Sequence, residues 1–418
     1  MTPEPGGVPA TEVEPSAPDL LTPSVRAAAG ALRPGELPCY VYDLTALRAH
    51  AASVRRALPR AVELYYAAKA NPEPAILAAL EPFTDGYEVS SGGELEHVRA
   101  AAPGRPLAFS GPGKTPAELS AALGAGVERI HAESLHEVRM LAALAARTAS
   151  TGRPPVRVLL RVDVPVDHGV LSGSALTMGG RPSPFGMSLE EASEALRLLA
   201  GDGCPGLVPA GIHAHLASGL DAPTLLRVAR AVAGAAADLA ARHRLAAPEA
   251  VVGGGMAVDY GRPGERFDWE GYGAGLARLA RTHPGLRLRI EPGRSLTAYC
   301  GWYVTEVLDV KRSHGEDVAV VRGGTHHLRT PAAKGHDQPA AVVAVEEWGH
   351  PWPRPAAGGA RVTVAGQLCT PKDVLARAVP APGLRAGDRV VFAMAGAYAW
   401  NISHRDFLMH PPPGFRFV

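Results

Sequence analysis

A chain of 418 residues is too long for one ordinary core and points to two domains, although an α/β barrel by itself absorbs about 250 residues. Hydrophobic residues make up 46% and the formal charge is +1, which supplies a globular interior and excludes the basic footprint of a nucleic-acid binder or a polybasic membrane patch. No run of about 18 apolar residues offers a membrane span.

The opening stretch, MTPEPGGVPATEVEPSAPDL, has neither the basic start nor the apolar run of a signal peptide. Residues 1–33 are expected to form a disordered tail. Next comes the strand-like run Cys39-Tyr40-Val41-Tyr42, and segment 34–45 is assigned to the second domain rather than to the first. From there to Arg294, short β-rich runs alternate with Ala/Leu-rich stretches. The candidate strands are Val62–Ala67, Gly86–Val89, Pro106–Phe109, Arg129–His131, Val156–Val162, Val208–His215, Ala250–Val252 and Leu286–Ile290. The segments between them, such as TPAELSAALGAG and LEEASEALRLLAG, repeat apolar residues at three and four positions. Several open with Thr or Ser and carry Glu three residues on, a capping-box pattern. Eight such units over 46–295 predict a (β/α)8 barrel, with a doubly wound sheet as the competing arrangement. After Leu296 the helical period is lost. Runs such as YVTEVLDVKRS, ARVTVAGQLC and DRVVFAMAGAY, separated by Gly/Pro turns, predict a mostly antiparallel β-domain over 296–418.

Catalytic groups of a (β/α)8 barrel sit just past the strand C-termini. Lys69 follows the first strand among small apolar neighbours, which predicts a lowered amine pKa and a nucleophile toward carbonyls. His213-Ala214-His215-Leu216-Ala217-Ser218 follows the sixth. Its two histidines alternate along a strand, so one ring is expected in the barrel mouth, and no metal site is required. Gly253-Gly254-Gly255 follows the seventh and presents backbone N–H groups to an anion. Glu291-Pro292-Gly293-Arg294 follows the eighth: Arg suits a phosphate, Glu a protonated ring nitrogen. The second domain adds Cys369 and Tyr398, in Gly-rich turns. The four cysteines, Cys39, Cys204, Cys300 and Cys369, show no CxxC pair, which points to a reducing cytoplasm. The first three are expected to be small buried hydrophobes. An amine, a stacking ring, phosphate donors, an acid for a pyridine nitrogen and a thiol together match pyridoxal 5'-phosphate.

The order of YYAAKAN, GYEVSSGGEL, HAHLASG, VVGGG, EPGRSLTAYCG, the Cys369 turn and GAY resembles the alanine-racemase-like (fold type III) pyridoxal-phosphate decarboxylases, among them the ornithine, arginine and diaminopimelate enzymes. The resemblance runs from Leu37 to Phe407. It implies that Lys69 carries the cofactor and His215 stacks on its ring. It also implies that Ser218, Gly254, Gly255 and Arg294 bind its phosphate with Tyr398 closing over it, and that Glu291 holds the ring nitrogen. It implies a head-to-tail homodimer with shared sites, in which Cys369 and Tyr398 act on the partner's cofactor and Cys369 returns a proton to the α-carbon.

The chain departs from the ornithine and diaminopimelate enzymes where they meet the far end of the substrate. Thr370 follows Cys369 where those enzymes usually place an acid, and the next acid is Asp373. The segment Arg322-Gly323-Gly324-Thr325-His326-His327-Leu328-Arg329 is basic where ornithine enzymes use aspartate. The segments GGTHHL, CTPKDVL and AYAWNISHRDFL look like the branch serving siderophore and other natural-product pathways. That branch implies a citryl-conjugated or carrier-protein-tethered amino acid. Arg294, His326, His327, Arg329, Asp373 and also Arg405 are the candidates to meet it. Diaminopimelate decarboxylase and an amino-acid racemase are the alternatives. Glu291 speaks against a racemase, since the family's racemases usually set arginine against the ring nitrogen. Lys69 and Cys369 speak against a catalytically dead scaffold.

Overall fold

A computed structural model describes residues 20–148, 154–171, 174, 176–201 and 204–418. Eight parallel strands close a barrel: β2 (Val62–Ala67), β3 (Gly86–Val89), β4 (Leu107–Phe109), β5 (Arg129–Ala132), β6 (Val156–Arg161), β8 (Leu207–His213), β10 (Glu249–Val251) and β11 (Arg287–Ile290). A two-stranded flap of β7 (Leu176–Thr177) and β9 (Ala217–Ser218) lies outside that ring. The strands are short and buried on both faces, as parallel strands wrapped by helices must be. Between them run amphipathic helices that start on side-chain caps. Thr115 with Glu118 and Ser188 with Glu191 form reciprocal capping boxes, and Ser91 Oγ accepts the Glu94 N–H. A doubly wound sheet is thereby excluded, because β11 pairs with β2 and closes the ring.

The second domain is an eight-stranded sheet. Its path runs β14 (Ala340–Val343), β17 (Arg389–Phe392), β12 (Gly301–Ser313), β13 (Glu316–Val321), β15 (Arg361–Ala365), β16 (Val374–Pro380). β1 (Cys39–Tyr42) joins it antiparallel to β12, and β18 (Gly414–Phe417) pairs parallel to β1. β13 and β15 are the other parallel pair.

The tail expected over 1–33 needs correction in its second half; residues 1–19 lie outside those described. Pro23–Ala31 is a helix capped by Thr22. Its Val25, Ala28 and Ala29 pack against Trp302, Val304 and Val391 of the second domain, and the Trp302 indole N–H donates to the Leu20 carbonyl at 2.7 Å. Compositional bias toward Pro and Glu ends before this apolar stripe begins. No helix among the described residues is long and apolar enough to cross a membrane.

One turn of the second domain reaches back onto the barrel beside Lys69. The Asn71 amide donates to the Gly396 carbonyl at 2.9 Å, the Tyr398 N–H to Ala70 at 2.8 Å, and the Asn401 amide to Lys69 at 2.7 Å. Tyr398 holds φ 49°, a left-handed conformation that costs a non-glycine residue roughly 1–2 kcal/mol. Segment 396–401 thus clamps the backbone on both sides of Lys69.

Candidate active site

A cavity of about 860 Å³ opens at the C-terminal ends of the barrel strands. Lys69 enters it from the turn after β2. Its Nζ donates to both oxygens of Glu88, each at 2.9 Å, and to Ser90 Oγ at 3.3 Å. Glu88, on β3, is buried and also accepts from the Ser90 and Ser110 hydroxyls. The lowered amine pKa expected for Lys69 is overturned here. Enclosure alone would push it down, but the Glu88 carboxylate outweighs that and holds the ammonium above the usual lysine range. Glu88 itself is pulled down to about 2, against the effect of burial, by Lys69 and the two serines. Glu88 stands within GYEVSSGGEL, yet nothing in the sequence pairs it with the lysine; that pairing follows from β2 and β3 being neighbours.

His213 and His215 both line the cavity, contrary to the alternation argument. β8 ends at His213, so the two-residue period of a strand no longer governs His215. His215 Nδ1 accepts the Gly254 N–H at 3.1 Å, which leaves Nε2 as the protonated nitrogen, 3.2 Å from Ser218 Oγ. Burial, reinforced by Lys69 and Arg161, lowers its pKa to about 3, so the ring is neutral. Gly255 lines the cavity with φ 90°, and a Cβ there would strike the Ala217 carbonyl. Gly254 does not line it. Its N–H already serves His215, and a Cβ would meet the Glu291 carbonyl, so it supports the ring from behind instead of facing a phosphate.

Glu291 follows β11 and is 7% exposed. His213 Nε2 lies 3.2 Å from its Oε2, while its Oε1 has no hydrogen-bond partner. Arg294 donates to the Tyr260 hydroxyl at 2.8 Å and lies 4.4 Å from the centre of the Tyr398 ring. Ser218, Gly255, Arg294 and Tyr398 all border the same cavity. Tyr398, expected to act on a partner's cofactor, thus borders the cavity of its own chain.

The second-domain candidates do not gather there. His326, His327, Arg329, Cys369 and Asp373 do not line the cavity. His326 and His327 are buried inside the second domain; the Tyr40 hydroxyl donates to the His327 carbonyl at 2.7 Å, and His327 Nδ1 lies 3.1 Å from the Tyr303 hydroxyl. Burial pushes their pKa values down to about 4 and about 3, so neither is a cation for an acidic substrate. Asp373 is 2% exposed and accepts from the Thr325 N–H, the Thr325 hydroxyl and the Leu368 N–H. It ties the Gly324 turn to the Cys369 turn and has no face toward a substrate. Arg329 and Arg405 are exposed, with Arg405 over the Trp400 ring. Cys369 is exposed, whereas Cys39, Cys204 and Cys300 are buried.

A lysine beside a carboxylate, a neutral imidazole ring, a guanidinium with two tyrosines, and a buried carboxylate without a hydrogen-bond donor define a barrel enzyme built around an aromatic carbonyl cofactor bearing a phosphate. The Glu291 carboxylate lines the cavity and accepts no hydrogen bond from the described residues, which fits a ring N–H, and Arg294 with the Gly255 turn fits the phosphate. A family model for the pyridoxal-binding domain of pyridoxal-dependent decarboxylases matches residues 44–298. The chain is 36% identical over 382 residues to 2-((L-alanin-3-ylcarbamoyl)methyl)-2-hydroxybutanedioate decarboxylase of Staphylococcus aureus, covering 91% of this chain and 93% of that one. It is 30% identical over 403 residues to a decarboxylase of L-glutamyl groups on the BtrI acyl-carrier protein, from Niallia circulans, covering 90% and 88%. Diaminopimelate decarboxylase of Helicobacter pylori, solved with L-lysine, shares the fold with a TM-score of 0.79 at 24% identity, covering 91% of each chain. The chain belongs to the pyridoxal-dependent decarboxylases, and pyridoxal phosphate is its cofactor.

Proposed function

We propose that this enzyme releases the α-carboxylate, as carbon dioxide, from an amino acid whose far end is already joined to a citrate-like acid or a carrier protein, in siderophore or natural-product assembly. Bound pyridoxal phosphate supplies the electron sink for the pair left at the α-carbon. Lys69 would hold it through its amine, with Glu88 holding and moving the proton on Nζ. His215 would lie against its ring as a neutral plane, oriented by Gly254. Ser218, Gly255, Arg294 and Tyr398 would hold its phosphate, and Glu291 its ring nitrogen. Cys369, exposed and outside the cavity of its own chain, would return a proton to the α-carbon in a second subunit of a homodimer. Four free cysteines support a reducing, cytoplasmic setting.

The observation that carries the conjugate reading is the state of the Cys369 turn. Thr370 offers no charge, and Asp373 is fully engaged by three protein donors. A free distal ammonium finds no carboxylate there, whereas a neutral amide linkage needs none. Both relatives described above take substrates of this joined kind, which supports the same choice here. Carbon dioxide release should be compared for the amide of citrate with 2,3-diaminopropionate, for diaminopimelate and for ornithine. The conjugate is expected to exceed both diamino acids in kcat/KM by at least about tenfold, near the worth of one unmatched charged group. Diaminopimelate turned over as fast as the conjugate would sink the proposal.

A further inference from the structure

We infer that Tyr260 is a further ligand of the cofactor phosphate, one that also positions Arg294, and that His336 of the second domain holds its ring in place. This rests on the reading that Arg294 meets the phosphate. Tyr260 stands in the loop that follows β10 and the Gly255 turn. Asp259 Oδ1 accepts the Gly261 N–H at 2.8 Å and the Arg262 N–H at 3.2 Å, a turn that fixes the backbone on both sides of Tyr260. Tyr260 is 8% exposed and belongs to the apolar cluster that holds Ala393 and Met394 of the second domain. His336 stacks on its ring with centroids 4.5 Å apart and planes 25° from parallel. Tyr260, His336 and Arg294 all border the cofactor cavity.

The Tyr260 hydroxyl accepts from Arg294 Nη1 at 2.8 Å. A guanidinium donates and never accepts, so this bond leaves the hydroxyl proton unused. No acceptor among the described residues takes that proton. A hydroxyl kept from water with its proton unbonded is costly, and an anion in the cavity would relieve that cost. Arg294 makes no ion pair and no other side-chain hydrogen bond among the described residues. The other cations bordering the cavity are engaged, Lys69 by Glu88 at 2.9 Å and Arg161 by Glu133 at 2.9 Å. With the Tyr398 ring 4.4 Å from its charge and Tyr260 holding Nη1, the guanidinium is fixed and its remaining N–H groups are left for a ligand. A phosphate beside one guanidinium keeps surplus negative charge and open lone pairs, which neutral donors must meet. Tyr260 is such a donor, held against the guanidinium itself. The His336 ring keeps its plane, so the second domain completes the phosphate side of a site otherwise built on barrel loops.

The test reads cofactor affinity, not turnover. Dissociation constants of the cofactor-free protein are measured for pyridoxal phosphate and for pyridoxal, which lacks the phosphate. Tyr260→Phe keeps the ring stack and the apolar packing and removes only the hydroxyl. It is expected to weaken pyridoxal phosphate by at least about tenfold, the scale of one charge-assisted hydrogen bond, and pyridoxal by less than about threefold. His336→Leu is expected to show the same selectivity at about threefold, and it carries the test if Tyr260→Phe does not fold. Arg294→Gln is the reference and should weaken pyridoxal phosphate selectively by about a hundredfold or more, the scale of two such bonds. If Arg294→Gln is selective while Tyr260→Phe leaves both ligands unchanged, or weakens both equally, the inference alone is overturned. An Arg294→Gln protein that weakens the two ligands alike removes the phosphate reading, and the inference with it.

Discussion

The two ends of the barrel bury charge in different ways. At the N-terminal end, Glu249 accepts from Arg129 at 2.7 and 3.1 Å, from Arg157 at 2.5 Å and from Arg289 at 3.3 Å. Glu63 accepts twice from Arg289, the Tyr65 hydroxyl links Arg129 to Glu128, and Arg289 stacks on Tyr65 at 4.1 Å. At the C-terminal end, Glu291 has His213 Nε2 3.2 Å from its Oε2 and no hydrogen bond from the described residues, beside a cavity. The same strands feed both ends: Arg129 and His131 are two apart on β5, and Arg289 and Glu291 two apart along β11. Buried charge by itself therefore does not mark a site. Incomplete pairing next to open volume does.

Substitutions at the two ends should separate activity from stability. The largest effect is expected for Lys69→Ala, which removes the visible band of bound cofactor and all measurable carbon dioxide release. The melting transition should persist, because Glu88 keeps the Ser90 and Ser110 hydroxyls. Glu291→Gln is expected next. It leaves a neutral acceptor in the same place and should lower kcat/KM by about two to three orders of magnitude, the range for one electrostatic stabiliser. Its urea midpoint should stay close to wild type. Glu249→Leu should do the reverse. It removes the carboxylate that Arg129, Arg157 and Arg289 share, leaves Glu63 and Glu128 to the first and Glu63 to the last, and should cost about 3 kcal/mol of stability, the low end for breaking a buried pair, with turnover per correctly folded, cofactor-loaded site near wild type. Urea titration with active-site counting checks both arms. A Glu249→Leu protein that melts normally but has lost activity would show that the lower network is coupled to the chemistry.

That contrast also explains what the sequence could tell. Lys69, His215, Ser218, Gly255, Glu291 and Arg294 are legible because each sits just past a barrel strand, where chain order alone aims a side chain at the mouth. Residues whose meaning depends on a neighbouring strand are not. Glu88 gains its contact with Lys69 from the β2–β3 pairing, and His131 meets the His213 ring because β5 and β8 flank β6. Gly254 is not legible, because a glycine-rich turn reveals close approach without revealing what approaches, here the ring of His215 and the Glu291 backbone. In the second domain, His326, His327 and Asp373 read as polar loop residues facing substrate, yet tertiary packing buries all three. β18 is not legible either, since its pairing with β1 joins segments far apart in the chain and leaves no local period.

The smallest expected effect compares histidines across the two domains. His215 in the barrel and His326 and His327 in the second domain have pKa values lowered to about 3, about 4 and about 3, in each case chiefly by burial. Unfolded, each titrates near about 6.5. Above that pH neither state binds the proton, and stability is independent of these groups. Between about 6.5 and the folded values the unfolded chain binds protons that the folded chain does not, so stability falls as pH falls. From pH 7 to pH 5.5 each such histidine should cost about 1 kcal/mol. His326 is the one to test, because it lies outside the cofactor cavity and both its ring nitrogens lack hydrogen-bond partners. His326→Leu should flatten the acid slope of the urea midpoint by that amount and leave the decarboxylation pH profile in place. An unchanged slope would mean that water or a rotated carboxylate reaches His326 in the native protein. The resemblance between the buried histidines of the two domains would then end at their burial.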